Sequence, residues 1–138
     1  MLVRDVMTPD PLCTAPNATL GEALDMMTRY EIHELPVTND GVLAGIVTQR
    51  DLLTVLGRAV LTLDVDDADP DQLQSLVEEV MTTEVEAVRE WTGLGSACRM
   101  LANYRIGSLP VVDNDRRVVG LLSITDVLTA AAEQLDRR

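Results

Sequence analysis

Ile32-His33-Glu34-Leu35-Pro36-Val37 returns as Ile106-Gly107-Ser108-Leu109-Pro110-Val111, 74 residues further along the chain. The match spreads outward at the same offset. Upstream, Val3, Val6, Met7 and Thr8 fall on Val77, Val80, Met81 and Thr82, and Leu20-Gly21 falls on Leu94-Gly95. Ala23, Met26 and Tyr30 meet Ala97, Met100 and Tyr104. Downstream, after one extra residue in the second copy, Gly45 meets Gly120, Asp51 meets Asp126, and Leu53-Thr54 meets Leu128-Thr129. Thr48 faces Ser123, which keeps the hydroxyl. Self-similarity at a fixed long period marks two copies of one supersecondary unit.

Each copy predicts the order β-α-β-β-α. In copy one, Pro11 to Ala15 reads as a short extended run, and Thr19 to Glu22 as a helix-opening capping box. Leu20, Ala23, Leu24 and Met27 then share one helical face, as do Leu94, Ala97, Cys98 and Leu101. A strand around Leu35 to Thr38 leads into Asn39-Asp40-Gly41, a hairpin turn signal, and a second strand covers Val42 to Val47. Thr48-Gln49-Arg50-Asp51 opens the last helix. Between the copies, Asp64 to Asp71 is acidic and turn-prone, with Asp69-Pro70 placed as an N-cap and first helical residue. Beyond it, Leu73, Leu76, Val77 and Val80 fall on one helical face, a lead-in helix to copy two.

Composition narrows the function. The chain has 138 residues, 46% hydrophobic and 25% charged, which suits a globular protein. Aromatics are 2% with no Phe, so the core is aliphatic and a stacking platform for single strands is excluded. With 11 Lys plus Arg against 23 Asp plus Glu, the net charge is −12, which opposes direct nucleic-acid or acidic-lipid binding. No apolar run reaches the length of a membrane span, and the opening MLVRDVMTPDP lacks a signal-peptide core. A cytoplasmic setting is expected, with Cys13 and Cys98 reduced. One His cannot serve a triad, and phosphate-loop and dinucleotide signatures are absent, so no enzyme is expected. The acidic stretch fails the EF-hand pattern, with Asp69 and Ser75 where Gly and Glu belong, so no metal site is expected.

A half of this size buries little core alone. Two similar halves are expected to pack about a pseudo-two-fold axis, with clefts between the copies. Asp5-Val6-Met7-Thr8, Thr19 to Ala23, Ile32 to Val37 and Gly45 to Asp51, repeated through Ile106 to Val111 and Gly120 to Asp126, resemble a tandem pair of CBS domains, the Bateman module. The resemblance covers almost the whole chain. It implies an α+β fold with CBS domain 1 at 1–57, an acidic linker at 58–72 and CBS domain 2 at 73–135. It also implies a non-catalytic regulatory module of the stand-alone class. Such a module binds an adenosine-containing ligand (AMP, ADP, ATP, S-adenosylmethionine or NAD) in the clefts and signals to a partner protein, usually as a homodimer.

By that resemblance, copy one supplies Thr14, Ala15, Pro16, His33, Glu34, Leu35, Pro36, Thr48, Arg50 and Asp51. Copy two supplies Val88, Arg89, Gly107, Ser108, Leu109, Pro110, Ser123, Thr125 and Asp126. The resemblance gives Asp51 and Asp126 the ribose hydroxyls. A helix N-terminus with a hydroxyl suits phosphate. The same Thr48/Asp51 and Ser123/Asp126 spacing is also a plain capping box, and both readings stand. Leu35-Pro36 and Leu109-Pro110 read equally as core, His33 as a surface residue, and Arg50 as a solvated ion-pair partner. Glu34 departs from the family pattern, since a carboxylate repels phosphate unless Arg50 or a cation offsets it. The net charge favours AMP, S-adenosylmethionine or a Mg²⁺-bound nucleotide over bare ATP. The alternatives are a ligand-free interaction scaffold and a divalent-cation sensor built on Glu34 and the acidic linker.

Overall fold

The computed structural model describes residues 1–137. In chain order the elements are β1 (Thr8–Pro9), α1 (Leu20–Tyr30), β2 (Glu34–Asn39), β3 (Val42–Thr48), α2 (Gln49–Leu56), α3 (Arg58–Thr62), α4 (Pro70–Leu73), α5 (Leu94–Tyr104), β4 (Ser108–Val112), β5 (Val118–Ser123) and α6 (Ile124–Leu135). They form two compact units. One is contiguous, Leu12–Val85; the other is split, joining Met1–Pro11 to the chain from Glu86 onward.

In the contiguous unit, Thr19 caps α1 as expected. Its hydroxyl accepts from the Glu22 N–H at 3.1 Å, and the Glu22 carboxylate accepts from the Thr19 N–H at 3.3 Å. Leu20, Ala23, Leu24 and Met27 are buried, the face foreseen from their spacing. β2 and β3 pair antiparallel, with Leu35 opposite Val47 and Pro36 opposite Ile46. The connecting Asp40 and Gly41 have φ of 51° and 84°. Two positive φ values make a turn whose twist matches that of the strands, the reason Asp-Gly works there. Leu35, Val37, Val47 and Leu52 close the core against α1.

The stretch expected as a linker, 58–72, is built into this unit. Ala59, Val60 and Ala68 are buried in its core. Its acidic residues act as caps: the Asp64 and Asp69 carboxylates accept from the N–H groups of Asp66 and Asp71, each at 2.9 Å. The lead-in helix expected over Leu73 to Val80 is broken instead. α4 ends at Leu73, Leu76 is extended, and Val77–Glu79 makes one 3-10 turn. The backbone there is bonded to the entry of α1: Leu20 N–H to Ser75 O at 2.8 Å, Val77 N–H to Ala18 O at 2.8 Å, and Glu78 N–H to Pro16 O at 2.9 Å. Those groups cannot also serve a continuous helix, yet Val77 and Val80 still pack on the same core.

The split unit repeats this arrangement with residues from both ends of the chain. Leu94 N–H donates to Met1 O at 3.0 Å, Val3 N–H to Thr92 O at 2.9 Å, and Arg4 N–H to Glu90 O at 2.9 Å. β1 pairs with β5, which pairs with β4. Val3 is fully buried with Val88, Ala97, Leu101, Leu109, Val111 and Leu122. Gly93 stands where copy one has Thr19, so α5 has no side-chain cap. The lead-in of each sequence copy therefore packs on the body of the other copy. The boundaries drawn from the repeat, 1–57, 58–72 and 73–135, follow the sequence copies, whereas the compact units divide after Pro11 and after Val85. A repeat shows which segments are alike but not which surface each one packs on.

Candidate functional site

Each unit turns a strand directly into a helix over a hydroxyl and a carboxylate. At the β3–α2 junction, Thr48 N–H donates to Asp51 Oδ2 at 2.8 Å and Asp51 N–H donates to Thr48 Oγ1 at 3.1 Å. At the β5–α6 junction, Ser123 N–H donates to Asp126 Oδ2 and Asp126 N–H to Ser123 Oγ, both at 3.0 Å. The capping reading is thus realised at both places. It leaves chemistry available. A carboxylate has about four lone-pair sites, a capping hydroxyl still has its proton to donate, and the first-turn N–H groups of Arg50 and Thr125 are not used by the caps. Thr48→Ala and Ser123→Ala are each expected to cost about 1 kcal/mol. Thermal melts check this, and an unchanged Tm in either variant would show that its hydroxyl does not cap.

In the contiguous unit, β2 sets Glu34 directly opposite Thr48. His33 O accepts from Gln49 N–H at 2.8 Å, and His33 Nδ1 lies 3.1 Å from Gln49 Oε1. The fold therefore gathers His33, Glu34, Thr48 and Asp51 at one end of the hairpin, and adds Gln49, which was not expected. Its place inside Thr48-Gln49-Arg50-Asp51 was the available signal. Arg50 is exposed, whereas Leu35 and Pro36 are fully buried core residues. Thr14 is buried beside β2, its N–H on Pro36 O and its O accepting from Thr38 N–H, each at 2.9 Å. Ala15 and Pro16 use their carbonyls on Ala18 and Glu78. Next to Thr14, burial pushes the Cys13 thiol above its usual range, opposed by a hydrogen bond with Thr38. A thiol so shifted is a poor nucleophile at neutral pH.

In the split unit, Ser108 lies directly opposite Ser123, and Gly107 O accepts from Ile124 N–H at 3.0 Å. Thr8, absent from the expected set, donates to the Asp126 carboxylate at 3.3 Å. Its signal was the repeated Met-Thr. No matching bond joins Thr82 to Asp51 among the described residues. Ser108, Leu109 and Pro110 are buried, and Thr125 is exposed. Val88 lies beside Val111, bonding Pro110 O and accepting from Val112 N–H. Arg89 has its own partners. Its guanidinium donates to Asn114 in the hairpin turn and stacks over Trp91 at 5.6 Å. The turn lies at the opposite end of the β4–β5 ribbon from Ser123. Among the described residues no three His, Cys, Asp or Glu side chains gather to hold a metal ion, and no helix is long and apolar enough to cross a membrane.

Comparison with known proteins bears on this arrangement. The family model of the CBS domain matches twice, at residues 3–58 and 77–133. The CBS domain-containing protein YhcV of Bacillus subtilis is 32% identical over 128 residues, covering 91% of this chain and 81% of YhcV. The chain is also 29% identical to the inosine-5'-monophosphate dehydrogenase of Methanocaldococcus jannaschii, but spans only 22% of that enzyme's length. Among solved structures, CBSX2 in complex with AMP superposes with a TM-score of 0.81 at 28% identity, covering 97% of this chain and 98% of that one. The CBS domain pair of MJ0100, in complex with 5'-methylthioadenosine and S-adenosyl-L-methionine, superposes with a TM-score of 0.79 at 28% identity and the same coverage. Two copies of one motif, matched over most of the chain and folded into two like units, show that the protein belongs to the CBS-domain family as a tandem pair.

Proposed function

We propose that the protein is a non-catalytic sensor that binds an adenosine-containing small molecule at one or both strand-to-helix junctions and signals the occupancy to a partner protein. The observation that carries this reading is the pair of capped junctions. Each holds an aspartate with unused lone pairs beside the N-terminus of a helix, in a fold whose solved relatives bind AMP and S-adenosylmethionine. The ribose hydroxyls donate to Asp51 or Asp126. A phosphate faces the first-turn N–H of Arg50 or Thr125, where the helix dipole favours negative charge. The net charge of −12 favours AMP, S-adenosylmethionine or a Mg²⁺-bound nucleotide over a free polyanion. The ligand works by its difference in affinity for two states of a cytoplasmic homodimer, which sets what the partner protein sees.

The test is thermal unfolding against AMP, ADP, ATP, S-adenosylmethionine and NADH, with and without Mg²⁺. A ligand at about 100 times its Kd adds about 2.7 kcal/mol. Asp51→Ala and Asp126→Ala are each expected to lower the starting Tm modestly, as capping residues, and to abolish the ligand-induced shift at their own junction. Retention of the full shift in both variants would overturn the ribose assignment. The second reading, a ligand-free interaction scaffold, is favoured by the engagement of both hydroxyl–carboxylate pairs in reciprocal helix caps. It predicts no shift with any of the five compounds.

A further inference from the structure

α2 and α6 end differently, and the difference leaves an apolar surface uncovered. At the offset that joins Asp51 to Asp126, Gly57 falls on Ala132. α6 runs on through Ala132, whereas α2 stops at Gly57, whose φ of 55° suits a residue without a Cβ. The chain then folds back as α3 and a 3-10 turn, Val65–Asp67. Ala59, Val60 and Ala68 enter the core, but the aliphatic side chains between them stay outside. Leu61, Leu63 and Val65 are 74%, 53% and 44% exposed. Single exposed aliphatics are ordinary, whereas three within five residues make a patch of the kind that takes a partner.

The patch is fixed in shape. The N–H groups of Leu63 and Asp64 both reach Ala59 O. The Thr62 hydroxyl donates to Asp67 Oδ2 at 2.6 Å, and the N–H groups of Asp67 and Ala68 bond back to Asp64 O and Val65 O, each at 3.1 Å. Leu63 has φ 56°, the left-handed conformation in which a helix end usually places glycine. An exposed leucine there serves neither the core nor the backbone. Charge says what covers the patch. Asp64, Asp66 and Asp67 lie beside it in the chain, all exposed, and no arginine pairs with them among the described residues. These carboxylates oppose nucleic-acid phosphates and acidic lipid. A second copy brings the same net charge of −12, which repels. The surface fits a segment of another protein with apolar side chains for the leucines and Lys or Arg for the carboxylates.

We propose that the Leu61–Val65 turn is the docking surface for a basic amphipathic segment of a partner protein. The inference rests on the sensor reading only in taking that segment's owner as the protein signalled to. Leu61 and Leu63 are the apolar anchors, and Asp64 and Asp66 meet the flanking cations. A surface already held in shape loses little freedom on binding, which favours a small interface.

The experiment is fluorescence anisotropy of a labelled peptide about four helical turns long, with Leu on one face and Lys on the other. It is titrated with the full chain without any adenosine compound. Binding is expected to weaken about tenfold in Leu61→Ser and in Leu63→Gly, since a few anchors carry most of an interface's affinity. Asp64→Asn keeps the cap and is expected to flatten the dependence on salt. Melts of the free variants should show an unchanged Tm in Leu61→Ser and no loss in Leu63→Gly, because glycine is preferred in the left-handed cap. Undiminished affinity in both leucine variants overturns the proposal. So does equal binding of a peptide with Ser in place of its Leu residues, or no binding at all. Self-association of the unaltered chain in sedimentation, dissolved by Leu61→Ser, gives the surface to a second copy and overturns it too. A missing thermal shift with adenosine compounds removes the sensor reading instead, and peptide binding that persists then leaves this surface standing.

Discussion

Deletion of residues 1–9 is expected to unfold the split unit while leaving the Leu12–Val85 unit folded. Val3 is fully buried in the split unit's core, with Val6 and Met7 packed around it. Burying one Val side chain contributes about 1.5–3 kcal/mol. The deletion also removes the β1–β5 pairing, the backbone bonds from Val3 and Arg4 to Thr92 and Glu90, and the Thr8–Asp126 contact. A combined loss above about 4 kcal/mol is a large part of the 5–15 kcal/mol typical of a whole domain. Hydrogen exchange checks it. Amides of α5, β4 and β5 should exchange fast, those of α1, β2 and β3 should stay protected, and a peptide of Met1–Pro11 added in trans should restore the slow exchange. Protection retained throughout the shortened chain would show that the segment is dispensable.

A second large effect is expected at one of two matched glycines. A Cβ at Gly45 would lie 2.6 Å from the carbonyl oxygen of Thr82 and 2.9 Å from the Met81 sulfur. The Thr82 backbone has no freedom to retreat, since its N–H and carbonyl are both bonded to Ile46, at 2.9 and 3.0 Å. At Gly120 the atom in the way is the sulfur of Met7, the far end of a flexible side chain. Thioethers repack easily. Gly45→Ala should therefore cost about 3 kcal/mol and Gly120→Ala about 1 kcal/mol, within the usual range for overpacking. For a chain this long, the corresponding Tm losses are about 10 °C and about 3 °C. Equal losses would mean that the lead-in segment at Met81–Thr82 is free to shift.

These two glycines also show how far sequence reasoning reached. Their equivalence was plain from the repeat, and so were the hairpin after Asn39, the caps at Thr19, Thr48 and Ser123, and the buried face of α1. Each of those is a local rule, readable within a few residues. The exchange of lead-in segments was not legible, because Val3 and Val77 are equally good partners for either body in sequence terms. The break at Gln74 to Leu76 was hidden for a related reason. Periodicity reports which residues are apolar, whereas Ser75 O and the Val77 and Glu78 N–H groups bond to the entry of α1 rather than along a helix. The candidate site divides the same way. The spacing of Thr48, Asp51, Ser123 and Asp126 foretold their caps, and the resemblance made them site candidates, whereas Thr8 and Gln49 enter through tertiary placement, and Arg89 bonds Asn114 in the hairpin turn and stacks on Trp91.

The pairing of Thr8 with Leu121 has a consequence for how the chain is made. A ribosome adds about 5–20 residues per second, so Thr8 is synthesised on the order of ten seconds before the strand it must join. The Leu12–Val85 unit needs nothing translated later and is free to fold in that interval. The partners that bury Val3 and Met7 are made only later, from Val88 onward. The order of synthesis thus makes Met1–Pro11 the segment of its unit that waits longest for its partners, open to proteases and chaperones until they are made.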